Sequence, residues 1–196
     1  MVNGNDTRRR RFLVTAMSVA GGAATAVAAV PFVESMLPSE RAKAAGAPVE
    51  VDIAKIAPEG QLVVPWRGRP VWIVNRTQEM LNAVREDDEK VVDPHSEHSM
   101  QPSYCKNEYR SAKPGYLVVV GICTHLGCSP VARFARQPES FDSEWRGGFY
   151  CPCHGSLYDL AGRVYRNKPA PTNLVVPPYR YVTATTVVIG EDPKPT

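Results

Sequence analysis

A basic surface is the first thing missing from this sequence. Lys and Arg number 23 against 20 Asp and Glu. Removing Arg8, Arg9, Arg10, Arg11 and Asp6 leaves 19 against 19, so the rest of the chain is formally neutral. A body without net charge lacks the electrostatic footprint that nucleic acid requires, which excludes that partner. No Gly-rich phosphate cradle is present, so the common nucleotide-binding classes are excluded as well. Histidine is scarce, with four residues. Two of them lie inside cysteine-bearing stretches, which removes them from Ser-His-Asp or Cys-His hydrolytic arrangements. Internal repeats and low-complexity tracts are absent. The 196 residues accommodate one domain with a core plus an attachment, rather than two large domains. What is plentiful is turn chemistry: 14 Gly and 18 Pro point to a turn-rich β domain.

Long apolar runs are also absent, with one exception. Residues 12–33, FLVTAMSVAGGAATAVAAVPFV, carry no charge. That run matches the roughly 20 residues a helix needs to cross a bilayer, and it has no polar face to suit a soluble core helix. The basic segment 1–11 precedes it, so that flank stays cytoplasmic and the remainder faces the periplasm of a bacterial inner membrane. Arg9-Arg10-x-Phe12-Leu13 resembles a twin-arginine export signal, which carries folded proteins. Ala42-Lys43-Ala44 has the small-x-small form of a cleavage site but lies well beyond the apolar run, and the reading adopted is an uncleaved single-pass anchor. Residues 34–48, small and polar and closed by Gly46 and Pro48, read as a flexible hinge linker.

The body, 49–190, alternates short β-type runs with Gly, Pro and Asn punctuation: 49–53, 61–66, 70–75, 116–122, 148–151, 173–176 and 179–190. An all-β, antiparallel domain follows, with 191–196 as a tail. Helical spacing occurs only at 77–86, with Met80, Leu81 and Val84 on one side. The stretch 87–115 reads as an irregular surface excursion. His95 and His98 within it stand three residues apart among Ser, Glu and Pro, and are expected to be solvated side chains rather than metal ligands.

Residues 123–128 read CTHLGC and 151–156 read CPCHGS, holding four of the five cysteines. Each follows a strand, and two loops at the tips of neighbouring hairpins could face one another across a shared metal. One thiolate and one imidazole from each loop would satisfy a tetrahedral zinc, but this leaves Cys128 and Cys153 unexplained. Two plain disulfides would leave the histidines idle.

Together the two motifs closely resemble the Rieske iron–sulfur signature. The anchored layout resembles that of the Rieske subunits of cytochrome bc complexes, the ubiquinol–cytochrome c reductases. The resemblance implies an antiparallel β domain with a small cluster-binding subdomain carrying loops 123–128 and 151–158, and one 2Fe-2S cluster per subunit. By the same token Cys123 and Cys151 hold one iron, His125 and His154 hold the other, and Cys128 and Cys153 form a disulfide between the loops. Two thiolates and four sulfide charges balance two ferric ions, so imidazole ligation makes reduction easier than four thiolates would. Ser156 and Tyr158 match hydroxyl donors to the cluster sulfurs, which raise the potential further. His154, with His125, would contact quinol and accept a proton, and Leu126 would shield the cluster and touch the quinone.

Residues 168–171, KPAP, resemble a Pro-rich covering loop. Lys168 stands where the family has glycine, which leaves the backbone there open. The implied activity is electron transfer from ubiquinol or a related quinol to a c-type cytochrome, coupled to proton translocation. It would operate within a dimeric complex that also contains cytochrome b, because one subunit alone completes no turnover. Two other readings remain at this point: the Rieske small subunit of a periplasmic molybdenum oxidase of the arsenite-oxidase type, and a tethered non-catalytic zinc module. Cys105, with no His or Cys near it in sequence, reads as a free thiol without a functional role.

Overall fold

The longest element is a helix without a core. In the computed structural model, which describes residues 4–98 and 100–193, α1 spans Gly4–Ser35 and continues through Pro31. Its apolar side chains are exposed throughout, from Phe12 to Val33. An amphipathic helix in water would bury one side, whereas this one is apolar all round, as a lipid-facing helix must be. It is long and apolar enough to cross a membrane. The helix also takes in the arginines at 8–11, because Arg is a good helix former and Asp6 sits in the first turn. A turn at Met36 and Leu37 ends it, and a six-residue helix α2 (Glu40–Ala45) follows, with Ser39 accepting from the Ala42 N–H at 3.2 Å. The chain divides into two units, Met1–Ala44 and Ala45–Thr196. Parts of the expected end segments, residues 1–3 and 194–196, lie outside the described residues.

The second unit consists of three antiparallel three-stranded sheets. Strands β1 (Val49–Asp52), β9 (Thr186–Ile189) and β8 (Tyr179–Tyr181) form the first, in that order. The second is β2 (Gln61–Trp66), β3 (Arg69–Asn75) and β4 (Tyr116–Val120), with Val71 opposite Val120. A smaller third sheet comprises β5 (Val131–Arg133), β6 (Gly148–Cys151) and β7 (Ser156–Tyr158). Central β3 buries four consecutive residues, 71–74, because it is covered on both faces. Trp72 of the second sheet stacks on Phe149 of the third, ring centroids 5.0 Å apart, and this contact joins the two sheets. Helix α3 (Gln78–Glu86) is capped by Thr77 and buries Met80, Leu81, Ala83 and Val84.

Two expectations need correction, and two short strands were not expected. Residues 173–176 are not a strand: Leu174 and Val176 are buried, but their N–H groups bond to loop carbonyls of Gly162 and Met100. Prolines at 169, 171, 177 and 178 remove donors on either side, so the run cannot extend into a ladder. The run 179–190 is a hairpin, β8 to β9, rather than one long strand. Strands β5 and β7, three residues each, carry too few positions for a period-two pattern to register.

Candidate metal centre

The two cysteine loops arise differently from the expected pair of hairpin tips. Residues 152–155 do form the tip of the β6–β7 hairpin, where Cys151 pairs with Ser156 and the Gly155 N–H returns to the Cys151 carbonyl at 2.9 Å. Residues 121–130, however, cross from the second sheet to the third, joining β4 to β5. The crossing starts at Gly121, where a side chain would run into the Trp72 indole, so only glycine lets the backbone pass. Cys123 then closes its own loop: its N–H bonds to the Cys128 carbonyl at 2.7 Å, and its carbonyl accepts from Gly127 at 3.0 Å.

The structure brings all of the named side chains to one end of the third sheet. A disulfide joins Cys128 to Cys153 across the loops, 25 residues apart in sequence. His125 and His154 lie with ring centroids 4.8 Å apart and nearly perpendicular, the first half-buried and the second exposed. Leu126 projects beyond them, 70% exposed. Beneath, Cys123 and Cys151 are buried free thiols. Burial works against a Cys123 thiolate, yet hydrogen bonds from the Tyr158 hydroxyl, the His125 N–H and Cys151 outweigh it and hold this thiol below its ordinary value. Burial pushes the Cys151 thiol up, and the neighbouring Cys123 adds to it. A bound metal would take both as thiolates.

Hydroxyl groups surround the thiols. Tyr158, fully buried, donates to Cys123 Sγ at 3.2 Å and accepts from the Thr124 N–H at 3.1 Å. Ser156 Oγ, also fully buried, accepts from the Ala170 N–H at 3.1 Å, so its own proton stays available to a further acceptor. That bond holds the 168–171 loop against the second cysteine loop. Lys168 is half-buried and does not adopt a positive φ, so its backbone does not require glycine.

Thr124 went unnoticed in the sequence: its Oγ1 lies 3.1 Å from the Tyr158 hydroxyl and 2.6 Å from the Thr172 carbonyl, linking the first loop to the third. Its place inside CTHLGC is the only signal that could have drawn attention to it. His95 and His98 are exposed and remote in sequence from these loops, and the carboxylate of Asp93 accepts from the backbone of Glu97 and His98. Cys105 is buried, its thiol donating to the Tyr179 hydroxyl at 3.6 Å.

Two soft thiols, two imidazoles and two hydroxyl donors around one point suit a sulfur-bearing iron centre better than a lone zinc. The sulfurs of Cys128, Cys151 and Cys153 lie within 4.8 Å of one another, but two of them are spent in the disulfide and offer no thiolate. A separate cleft, about 620 Å³, is lined by Trp66, Val120, Pro177 and Pro178 and includes none of these side chains.

A family model described as "Rieske [2Fe-2S] domain" matches residues 54–180. Another, "Ubiquitinol-cytochrome C reductase Fe-S subunit TAT signal", matches residues 2–39. The ubiquinol-cytochrome c reductase iron-sulfur subunit of Allochromatium vinosum is 58% identical, covering 96% of this chain and 91% of its own length. The subunit of the same name from Bradyrhizobium diazoefficiens is 41% identical over 93% of this chain and 94% of its own. Among solved structures, a chain titled "Hyperthermophilic respiratory Complex III" aligns at 26% identity and a TM-score of 0.46, over 87% of this chain and 98% of that one, too loose an overlap to bear on function.

Proposed function

Since the chain belongs to the family of ubiquinol–cytochrome c reductase iron–sulfur subunits, we propose that Cys123 and Cys151 ligate one iron of its [2Fe–2S] group and His125 and His154 the other. The observation that carries this reading is the pair of imidazoles 4.8 Å apart above two buried thiols, with the adjoining cysteines already joined to each other. When bound, the group supplies one-electron chemistry at a potential that imidazole ligation raises. The match extends through the N-terminal helix as well as the body, which supports the respiratory reading over a molybdenum-oxidase subunit or a zinc module.

The chain's own residues then divide the work. One ring nitrogen of each histidine ligates; the other, on exposed His154, accepts a hydrogen bond from a quinol hydroxyl and then its proton. His125 stands beside it in the same role. Leu126 excludes water at the contact and meets the quinone ring. Tyr158 and Ser156 hold their hydroxyl protons toward sulfur, and Thr124 fixes the Tyr158 hydroxyl in that direction. The Cys128–Cys153 bridge keeps the loops in register and suits an oxidising compartment, the periplasmic side of a bacterial inner membrane. Helix α1 anchors the chain there, and the segment around α2, bounded by Pro38 and Gly46, tethers a head that travels from the quinol site to the c-type cytochrome subunit. The second quinol electron goes to cytochrome b, within a dimeric complex.

Electron paramagnetic resonance of reduced membranes, with and without a quinol-site inhibitor, tests the reading. The signal is expected to shift in position when the inhibitor binds, and to stop responding in a Leu126→Gly variant that keeps its iron. An iron–sulfur signal indifferent to the inhibitor in the unaltered protein would remove quinol from the account.

A further inference from the structure

Three arginines are enclosed in the body, Arg76 at 4% exposure and Arg110 and Arg163 at none. A guanidinium taken out of water costs several kcal/mol unless an opposite charge and hydrogen bonds compensate. Arg163 has both, with Asp159 at 2.7 Å and Asp88 at 2.6 Å. Among the described residues, neither Arg76 nor Arg110 forms an ion pair with a carboxylate. The donors of Arg76 end on the carbonyls of Pro114, Tyr109 and Leu160 and on the Ser111 hydroxyl, at 2.6–3.1 Å. Those of Arg110 end on the carbonyls of Ala161, Gly162 and Leu174 and on the Gln101 side-chain oxygen, while its Nε has no partner. Burial lowers both to about 10, still well above neutrality, so both are cations at pH 7. Asp159 is the carboxylate that acts most strongly on each, and Asp93 acts on Arg110 as well.

Their location gives these charges a consequence. Leu160, Ala161 and Gly162 lie two to four residues beyond Tyr158, whose hydroxyl touches Cys123 Sγ. Asp159, shared by the three guanidinia, is the very next residue. The two cations thus bond to the turn that directly follows the strand bearing Tyr158, both of them buried and away from bulk solvent. An electron alone would add one negative charge to that centre, the proton taken by His154 being a separate gain, while both arginines keep theirs.

We propose that Arg76 and Arg110 set the reduction potential of the centre, their buried charge favouring the reduced form, in addition to any part they play in holding the fold. The inference rests on the ligand assignment above and extends it to residues that touch neither metal nor quinol.

The test is a redox titration, followed by electron paramagnetic resonance at low salt, of the full chain in detergent. Arg110→Met and Arg76→Met are expected to weaken reduction roughly three- to tenfold, a fall of up to about 59 mV for one electron. Arg76→Lys and Arg110→Lys keep the charge but lose the planar fork, and are expected to stay near the unaltered potential. Arg76→Gln and Arg110→Gln remove the charge but keep an amide that can donate to the same carbonyls, and are expected to fall as the Met variants do. They decide the matter if the Met variants do not fold. Unmoved potentials in folded Met or Gln variants, or Lys variants that fall as far as Met, would each overturn the proposal. A protein with no iron–sulfur signal at all would instead overturn the ligand assignment beneath it.

Discussion

Tyr158 shows how much one hydroxyl can do at this site. It donates to Cys123 Sγ and accepts from the Thr124 N–H, both in a fully buried position. Extra negative charge on sulfur strengthens the donated bond, so Tyr158→Phe is expected to lower the midpoint potential by about 40 mV, the equivalent of ~1 kcal/mol for one electron. The same change strands the Thr124 N–H, and a thermal melt is expected to report a loss of about 1–2 kcal/mol.

Cys105 has a different consequence. Burial holds its thiol above the ordinary value of 9.0. Folded stability from this group is therefore whole below pH 9 and declines as pH rises toward the folded value, because in that interval only the unfolded chain gives up the proton. Denaturation midpoints measured from pH 8 to 10 are expected to fall, with a shallower slope in Cys105→Ala. The two loops that bear cysteine and histidine stood out from their spacing as a candidate metal centre, whereas the division into ligands and disulfide came from the family resemblance. Thr124, Arg76 and Arg110 were not legible, since all but one of their named partners lie 33 to 84 residues away and no local pattern encodes such contacts.

Loops and strands carry the next level of the design. The Cys128–Cys153 bridge closes 25 residues of chain, and loop entropy alone values that at about 3.5 kcal/mol. Cys128→Ser with Cys153→Ser is expected to lose roughly that much in urea unfolding and to release its iron faster on dilution. Gly121→Ala forces a methyl into Trp72, whose ring joins the second sheet to the third. An overpacking cost of about 1–3 kcal/mol is expected in the same unfolding experiment. Strands β1 to β4 and β6 were readable because β-branched runs between turn residues have few alternatives, while β8 and β9 were read together as one run. The crossing of the first cysteine loop from one sheet to another was not, since sheet membership depends on pairing between distant strands. The excursion 87–115 read as mere surface, yet Arg110 inside it reaches Ala161, Gly162 and Leu174.

At the scale of the whole molecule, a helix with a long apolar run and a formally neutral β body form separate units. The helix is long and apolar enough to cross a membrane, and the body holds the cysteine loops. Alkaline carbonate washing is expected to leave the full chain in the membrane fraction and to release a chain that begins after residue 44. The account as a whole depends on mixed nitrogen and sulfur ligation by Cys123, His125, Cys151 and His154. Pulsed electron paramagnetic resonance of the reduced protein, grown with ¹⁵N-histidine, measures that ligation directly. Two strongly coupled histidine nitrogens are expected; a centre showing none, or a colourless protein holding zinc and no acid-labile sulfide, would contradict it.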